Sequence, residues 1–253
     1  MTHHRRRPTP RRIWLSAGLL GLMAAGLTAI PVSAAGSTTY RDCSQITVLA
    51  GADLHRCDLA DSTIIGLDLN GINVAWSDLS RVNGGCDPDL PRSNLNGAIA
   101  YRALFVDAKL CDAILTDADL HGSDLSGAAL EDASVNRANL AWADLDGAGA
   151  AFAPFDDANL GNVSWRNGFA NGASFDGADL HRIDLRGTDL RSASFVGTDL
   201  RYARLDGVDL SDADLTGANV RSSTGLSSAT FSNTTCPDGT NSDANTGGTC
   251  VGH

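Results

Sequence analysis

The chain has 253 residues, with 30 acidic against 19 basic side chains and a formal net charge of −11. A surface this acidic repels phosphate backbones, so direct binding of DNA or RNA is not expected; a basic partner or cations would complement it.

The first segment reads as an address. Arg5, Arg6, Arg7, Arg11 and Arg12 precede an apolar run from Ile13 to Ile30, and Val32-Ser33-Ala34 supplies a small-x-small cleavage pattern. The run is about long enough to span a bilayer as an anchor. Its Gly- and Ala-rich interior and the cleavage pattern favour a signal peptide over residues 1–34, removed on export. "RRIWL" (Arg11 to Leu15) resembles a twin-arginine export motif, although an ordinary secretory signal explains the same arginines. Removing five arginines and no acids leaves 14 basic against 30 acidic residues, a net charge of −16. No second long apolar run follows, so the mature chain is expected to be soluble, secreted or in the cell envelope, with no membrane association.

All six cysteines, Cys43, Cys57, Cys86, Cys111, Cys236 and Cys250, lie after the signal. An even count in an exported chain argues for disulfides, with fifteen possible pairings. No Cys-x-x-Cys spacing or Cys–His pairing occurs to favour a metal.

From residue 52 a period of five takes over. Leu54, Leu59, Ile64, Leu69, Val74 and Leu79 stand five apart; "RVNGGCDPDLP" (81–91) interrupts and shifts the frame by one. Counting in fives from Leu90 to Val220 then gives 27 apolar residues in succession, 17 of them Leu. They include Leu110, Leu115, Leu120, Leu125, Phe155, Trp165, Phe175, Leu180, Leu185, Leu190 and Phe195. The residue two before each centre is nearly always small, Asp or Asn is common one before, and Gly recurs two after. Such a unit fits one short extended side and one bend, with the large centre pointing inward and Asx or Gly serving the bend. It cannot bury its centre alone, so units must stack along an axis. A helix is excluded, because a five-residue step walks around it and the dense Gly destabilises it.

"ADLHG", "SDLSG", "ANLAW" and "ADLDG" resemble the pentapeptide-repeat family, whose pattern reads roughly Ala-(Asp/Asn)-Leu-x-x. The resemblance covers about residues 52–222 and implies an all-β fold, a right-handed quadrilateral β-helix with twenty residues per coil. Phe155, Phe175 and Phe195 recur at that interval, as stacking on one side requires. With coils about 4.8 Å apart, eight coils make a rod on the order of 40 Å long.

Solenoid ends expose unpaired backbone, so capping segments are expected at both ends: 35–51 before the solenoid, and a Ser/Thr/Asn/Gly-rich tail over 223–253 after it. Sequential pairing, Cys43–Cys57, Cys86–Cys111 and Cys236–Cys250, would close the N-terminal cap, the interruption and the tail. The tail oxygens of Asp238, Asn241, Asp243 and Asn245 offer calcium ligands, but the Gly is misplaced for an EF-hand loop and the closing Glu is missing.

No Gly-x-Ser-x-Gly, phosphate-cradling loop or His-Glu-x-x-His occurs, so neither an enzyme nor a cofactor or metal site is expected. His55, His121, His181 and His253 read as scattered surface residues. A twenty-residue coil brings Asp184 near Arg204 and Arg186 near Asp206, and stacks Asp124 on Asp144, Asp179 on Asp199 and Asp189 on Asp209. Ala150 and Ala170 are undersized centres, so Phe152 and Phe169 are expected to fill the core beside them. Left exposed near Trp142, they would instead mark a binding patch.

These features describe a secreted, non-enzymatic solenoid, a structural or protein-interaction module whose partner and oligomeric state the sequence leaves open. The resemblance implies an alternative, since well-understood family members are acidic rods that imitate DNA and bind or inhibit DNA gyrase. Export and disulfides argue against it, because gyrase is cytoplasmic.

Overall fold

The computed structural model describes residues 41–42, 50–87, 89, 91–245 and 248–252. The expected signal segment, most of the N-terminal cap, Cys43, Leu90 and His253 lie outside the described residues.

The chain winds as a β-helix of very short strands. A two-residue strand, β1 (Arg41–Asp42), pairs in parallel with β2 (Cys57–Asp58). Single parallel bridges then recur at every fifth residue, joining partners twenty apart, as in Asp119↔Asn139 and Asp124↔Asp144. In a representative unit, Leu120 N donates to Asn139 O at 2.8 Å and Asn139 N donates back to Ala118 O at 2.9 Å. The chain then turns, and Ser123 N donates to Leu120 O at 3.0 Å across a bend whose third residue, Gly122, has φ +63°. That is the geometry of a type II turn, which suits Gly. Asp or Asn before each centre has a second duty: Asp58, Asp119, Asn139 and Asp144 each accept the N–H two residues on, fixing the entry to the bend.

The interruption adds six residues to one coil. Asp68↔Asn94 and Asp78↔Leu104 are 26 apart, and twenty-residue spacing resumes at Asn94↔Ile114. Cys86–Cys111 ties the inserted loop to the following coil, and Gly84 N donates to Lys109 O at 2.7 Å. At the far end bridging continues through Arg204↔Thr224, Asp209↔Thr230 and Asp214↔Thr235. Beyond it, Cys236–Cys250 closes a loop.

The eleven centres from Leu110 to Phe195 named above are all buried. Phe155, Phe175 and Phe195 stack nearly flat, with centroids 5.2 and 5.0 Å apart. Buried hydroxyls two before a centre bond to backbone: Ser123 donates to Leu120 O and Thr198 to Phe175 O, both at 2.7 Å. Among the described residues, Ser62 Oγ is the one buried side-chain polar atom without a partner.

Phe152 and Phe169 do not fill the core; they are 62% and 57% exposed. The space beside Ala150 and Ala170 is taken from within. The Trp165 indole lies so close against Gly168 that a Cβ there would clash with its Nε1, and it donates to Ala148 O at 3.1 Å. Satisfying the indole N–H this way lets the largest side chain occupy the room that two alanines leave.

Candidate interaction edge

Each coil makes its bends at fixed places, so residues one coil apart in sequence become neighbours along the rod. One such edge is held by a continuous ladder of backbone bonds: Arg56 N to Ala75 O, Trp76 N to Tyr101 O, Arg102 N to His121 O, and Gly122 N to Ala141 O. It continues through Trp142 N to Gly161 O, Asn162 N to His181 O, Arg182 N to Arg201 O and Tyr202 N to Arg221 O, all eight bonds between 2.9 and 3.2 Å. The bend positions of this edge carry no acid. They carry every described His and Tyr, both Trp that are not in the core, and five arginines. The histidines are therefore not scattered: His55, His121 and His181 share one edge. Counting in twenties from Tyr101, as the Phe column invites, is the sequence signal that finds His121 and His181, and adding the six-residue insertion places His55 on the same edge.

The side chains form a discontinuous column of planar groups. Trp76 meets Tyr101 edge-on at 5.6 Å, and Tyr101 stacks on His121 at 5.7 Å. The Arg102 guanidinium lies 5.0 Å from the Trp76 centroid and 5.3 Å from that of Tyr101. Further along, Arg182 sits 5.7 Å from the Tyr202 ring, and His181 Nδ1 lies 2.8 Å from its own Asp179. Trp142 is 63% exposed and Tyr202 55%. Trp76, Trp142 and Tyr202 occupy the positive-φ bend position, at 59°, 64° and 62°. Bulky residues rarely adopt that conformation, which costs about 1–2 kcal/mol relative to a relaxed backbone.

Arginines elsewhere on the rod behave differently. From residue 56 onward, Arg81, Arg92, Arg137, Arg166, Arg186, Arg191 and Arg204 each pair with an aspartate. On the aromatic edge only Arg201 does, with Asp199 at 2.6 Å; Arg56, Arg102, Arg182 and Arg221 form no ion pair with a described carboxylate. Six of the paired aspartates, Asp61, Asp117, Asp146, Asp184, Asp189 and Asp199, titrate low. Side-chain hydrogen bonds from Arg81, Arg137 and Arg201 hold Asp61, Asp117 and Asp199 below the ordinary carboxylate value. At Asp146 partial burial pushes the carboxyl up, but bonds from Arg166 and Ser164 outweigh it.

The remaining candidates separate. Trp142 belongs to the aromatic edge, whereas Phe152 comes half a coil later and Phe169 is a bridge residue between Gly149 and Asp189, so the three form no single patch. Phe152 lies over Gly172, lining a shallow groove with Asn171 and Arg191. The stacked aspartates pair in the expected register, and local donors relieve their repulsion: Ser126 on Asp124, His181 on Asp179, Arg191 on Asp189. Arg204 reaches Asp184 at 3.3 Å, but Arg186 turns back to Asp184 rather than to Asp206. Cys57 is disulfide-bonded, while its expected partner Cys43 lies outside the described residues. In the tail, Asp238 accepts from Thr240, Asn241 from Asp243 N, and Asp243 from Asn233 N, so these oxygens serve turns. Among the described residues one group has metal-ligand spacing, Cys86, Cys111 and Glu131, and its cysteines are joined to each other.

The sequence pattern described as pentapeptide repeats matches residues 89–127, 113–148, 123–162, 153–191 and 193–224, in 8 copies. This chain belongs to the pentapeptide-repeat family. Members fold as right-handed β-helices and are generally structural or interaction modules, and this pentapeptide-repeat protein has that right-handed fold. Among curated proteins none matches it. Similar solved structures include HetL, a pentapeptide-repeat protein involved in heterocyst differentiation regulation in the cyanobacterium Nostoc. It is 26% identical, with 76% of this chain and 88% of HetL covered and a TM-score of 0.41. A trypsin-treated form of QnrB1, a plasmid-mediated fluoroquinolone resistance protein, is 17% identical over 73% of this chain and 84% of its own, TM-score 0.38. A pentapeptide-repeat protein of the Arabidopsis thaliana thylakoid lumen is 25% identical over 53% of this chain and 68% of its own, TM-score 0.20.

Proposed function

We propose that this protein is an exported, non-enzymatic interaction module that engages its partner along the aromatic–arginine edge. That edge is the observation that carries the reading: exposed rings at strained bends, and arginines of which four make no ion pair with a described carboxylate, serve the rod's own stability poorly, and both suit a partner. Four successive bridges per coil, Asp179↔Asp199, Asp184↔Arg204, Asp189↔Asp209 and Ser194↔Asp214, support a four-sided cross-section. Residues 1–34 are removed on export, 35–51 cap the first coil, 52–222 form the solenoid with its interruption at 81–91, and 223–253 close the far end. The edge stays available in this arrangement, because bends face outward and the caps cover only the ends.

Protein recovered from the growth medium should begin at Ala35 by N-terminal sequencing; a chain found only in the cytoplasm with residues 1–34 intact overturns export. As bait on an extracellular or envelope fraction, the wild type should capture a partner that Trp142→Ala loses. Capture indifferent to the edge overturns the assignment of the surface. The acidic charge favours a second reading, a DNA-mimicking rod that binds gyrase, which the cytoplasmic result would revive.

A further inference from the structure

We infer that the aromatic–arginine edge binds an acidic polysaccharide, a linear chain of uronic-acid sugars; this inference rests on the interaction-module reading. The ligand class follows from three properties of the edge.

First, the edge is one-dimensional. Its side chains repeat coil after coil at a step of about 4.8 Å, so it matches an extended polymer better than a compact ligand. Arg102 and Arg182 stand four coils apart with Trp142 midway, a span of about 19 Å that several linked sugar rings would cover.

Second, two arginines lie beside rings and make no ion pair with a described carboxylate. Arg102 is held over Trp76 and Tyr101, and Arg182 over Tyr202, while neither has an ion pair with a described carboxylate. A guanidinium drawn to a ring by its charge still has its N–H groups free of any ion pair with a described carboxylate, and these can grip a ligand carboxylate with two parallel hydrogen bonds. On the other edges the described arginines from residue 56 onward are already committed to aspartate, so this is where an anion gains most.

Third, the exposed rings call for a ligand with apolar faces. Trp142 and Tyr202 hold large flat surfaces in water at bend positions that disfavour them. A sugar ring offers a face of C–H groups to such a surface, while its carboxylate reaches the arginines. Flanking acids confine an anion to the edge itself. Asp179 and Asp199 lie beside His181 and Arg201, and the chain after residue 34 carries a net charge of −16, so the rest of the rod repels any polyanion, and apolar faces must add to the arginine contacts. One carboxylate per ring, interleaved with apolar faces, fits the alternation of cation and aromatic.

Calorimetric titration of the full chain with polygalacturonate tests this, with dextran as an uncharged polymer and oligothymidylate as a single-stranded nucleic acid. Polygalacturonate should bind, more weakly as salt rises, and more tightly than either other polymer. The double variant Arg102→Ala/Arg182→Ala should lose at least about tenfold in affinity, a change of about 1.4 kcal/mol, and Arg137→Ala on another edge should lose nothing. Circular dichroism on each variant reports folding independently. Absence of polygalacturonate binding overturns the inference, as does tighter binding of oligothymidylate, or an equal loss in Arg137→Ala. If polygalacturonate fails while wild-type bait captures a protein that Trp142→Ala loses, the interaction reading stands and the glycan falls; if both fail, both readings fall.

Discussion

Two aromatic columns run along the same rod and obey opposite rules. The inner one, Phe155, Phe175 and Phe195, occupies centre positions, is fully buried, and stacks within 15° of parallel. The outer one, with Trp76, Tyr101, Trp142 and Tyr202, occupies bends, stays in contact with water, and places three of its four rings on positive-φ backbone. The backbone repeat is identical for both, so the contrast comes from what the side chains do. Inner rings are held by the area they remove from water. Outer rings remove little, strain the bend, and hold Arg102 and Arg182, which make no ion pair with a described carboxylate. An aromatic that stabilises the fold and one kept for a partner can thus be told apart by burial and φ together.

The comparison can be broken from either side. Phe175→Ala should be the most damaging change, costing about 3–5 kcal/mol in chemical denaturation because it opens a cavity between two stacked rings. A loss below about 1 kcal/mol would mean the inner column is not the core of the rod. Acid should come next. Asp61, Asp117, Asp146, Asp189 and Asp199 have folded values below the ordinary carboxylate value of about 3.9. Their contribution is therefore present above that pH and is lost as pH falls through the depressed values. The melting midpoint should hold from neutral down to about pH 5 and decline below about pH 4; a decline beginning near neutrality would contradict the ion pairs. Ser62→Ala removes the buried hydroxyl that lacks a partner and should raise stability by up to about 1 kcal/mol. Arg137→Ala breaks one exposed pair with Asp117 and should lower the midpoint only slightly, the smallest effect of the series.

The fold is legible in the sequence because one constraint repeats. A large centre every fifth residue, with a small residue two before and Asx one before, predicts burial, bridge and bend at once, and Phe155, Phe175 and Phe195 reveal the coil length. The six-residue insertion is visible as a slipped frame. The aromatic edge is legible only once coil length is applied to bends as well as centres. Sequence proximity makes His121 and His181 look isolated, although they stand on one edge. The fate of Phe152 and Phe169 is not legible, because it depends on how the Trp165 indole turns inside the rod. Packing among three neighbouring coils decides that orientation, and no single position encodes it. Likewise Arg186 can reach Asp184 or Asp206, and local geometry rather than spacing selects the first.

Trp142→Gly puts the central claim to its most direct test, with thermal stability and polygalacturonate affinity measured on the same preparation. Glycine already occupies the equivalent bend one coil earlier, Gly122 at φ +63°. Removing the tryptophan should leave the melting midpoint unchanged or higher while weakening binding at least about tenfold, as expected for a ring strained in place for a ligand. A lowered midpoint with unchanged affinity would make the outer column a structural feature and remove the edge from the protein's function.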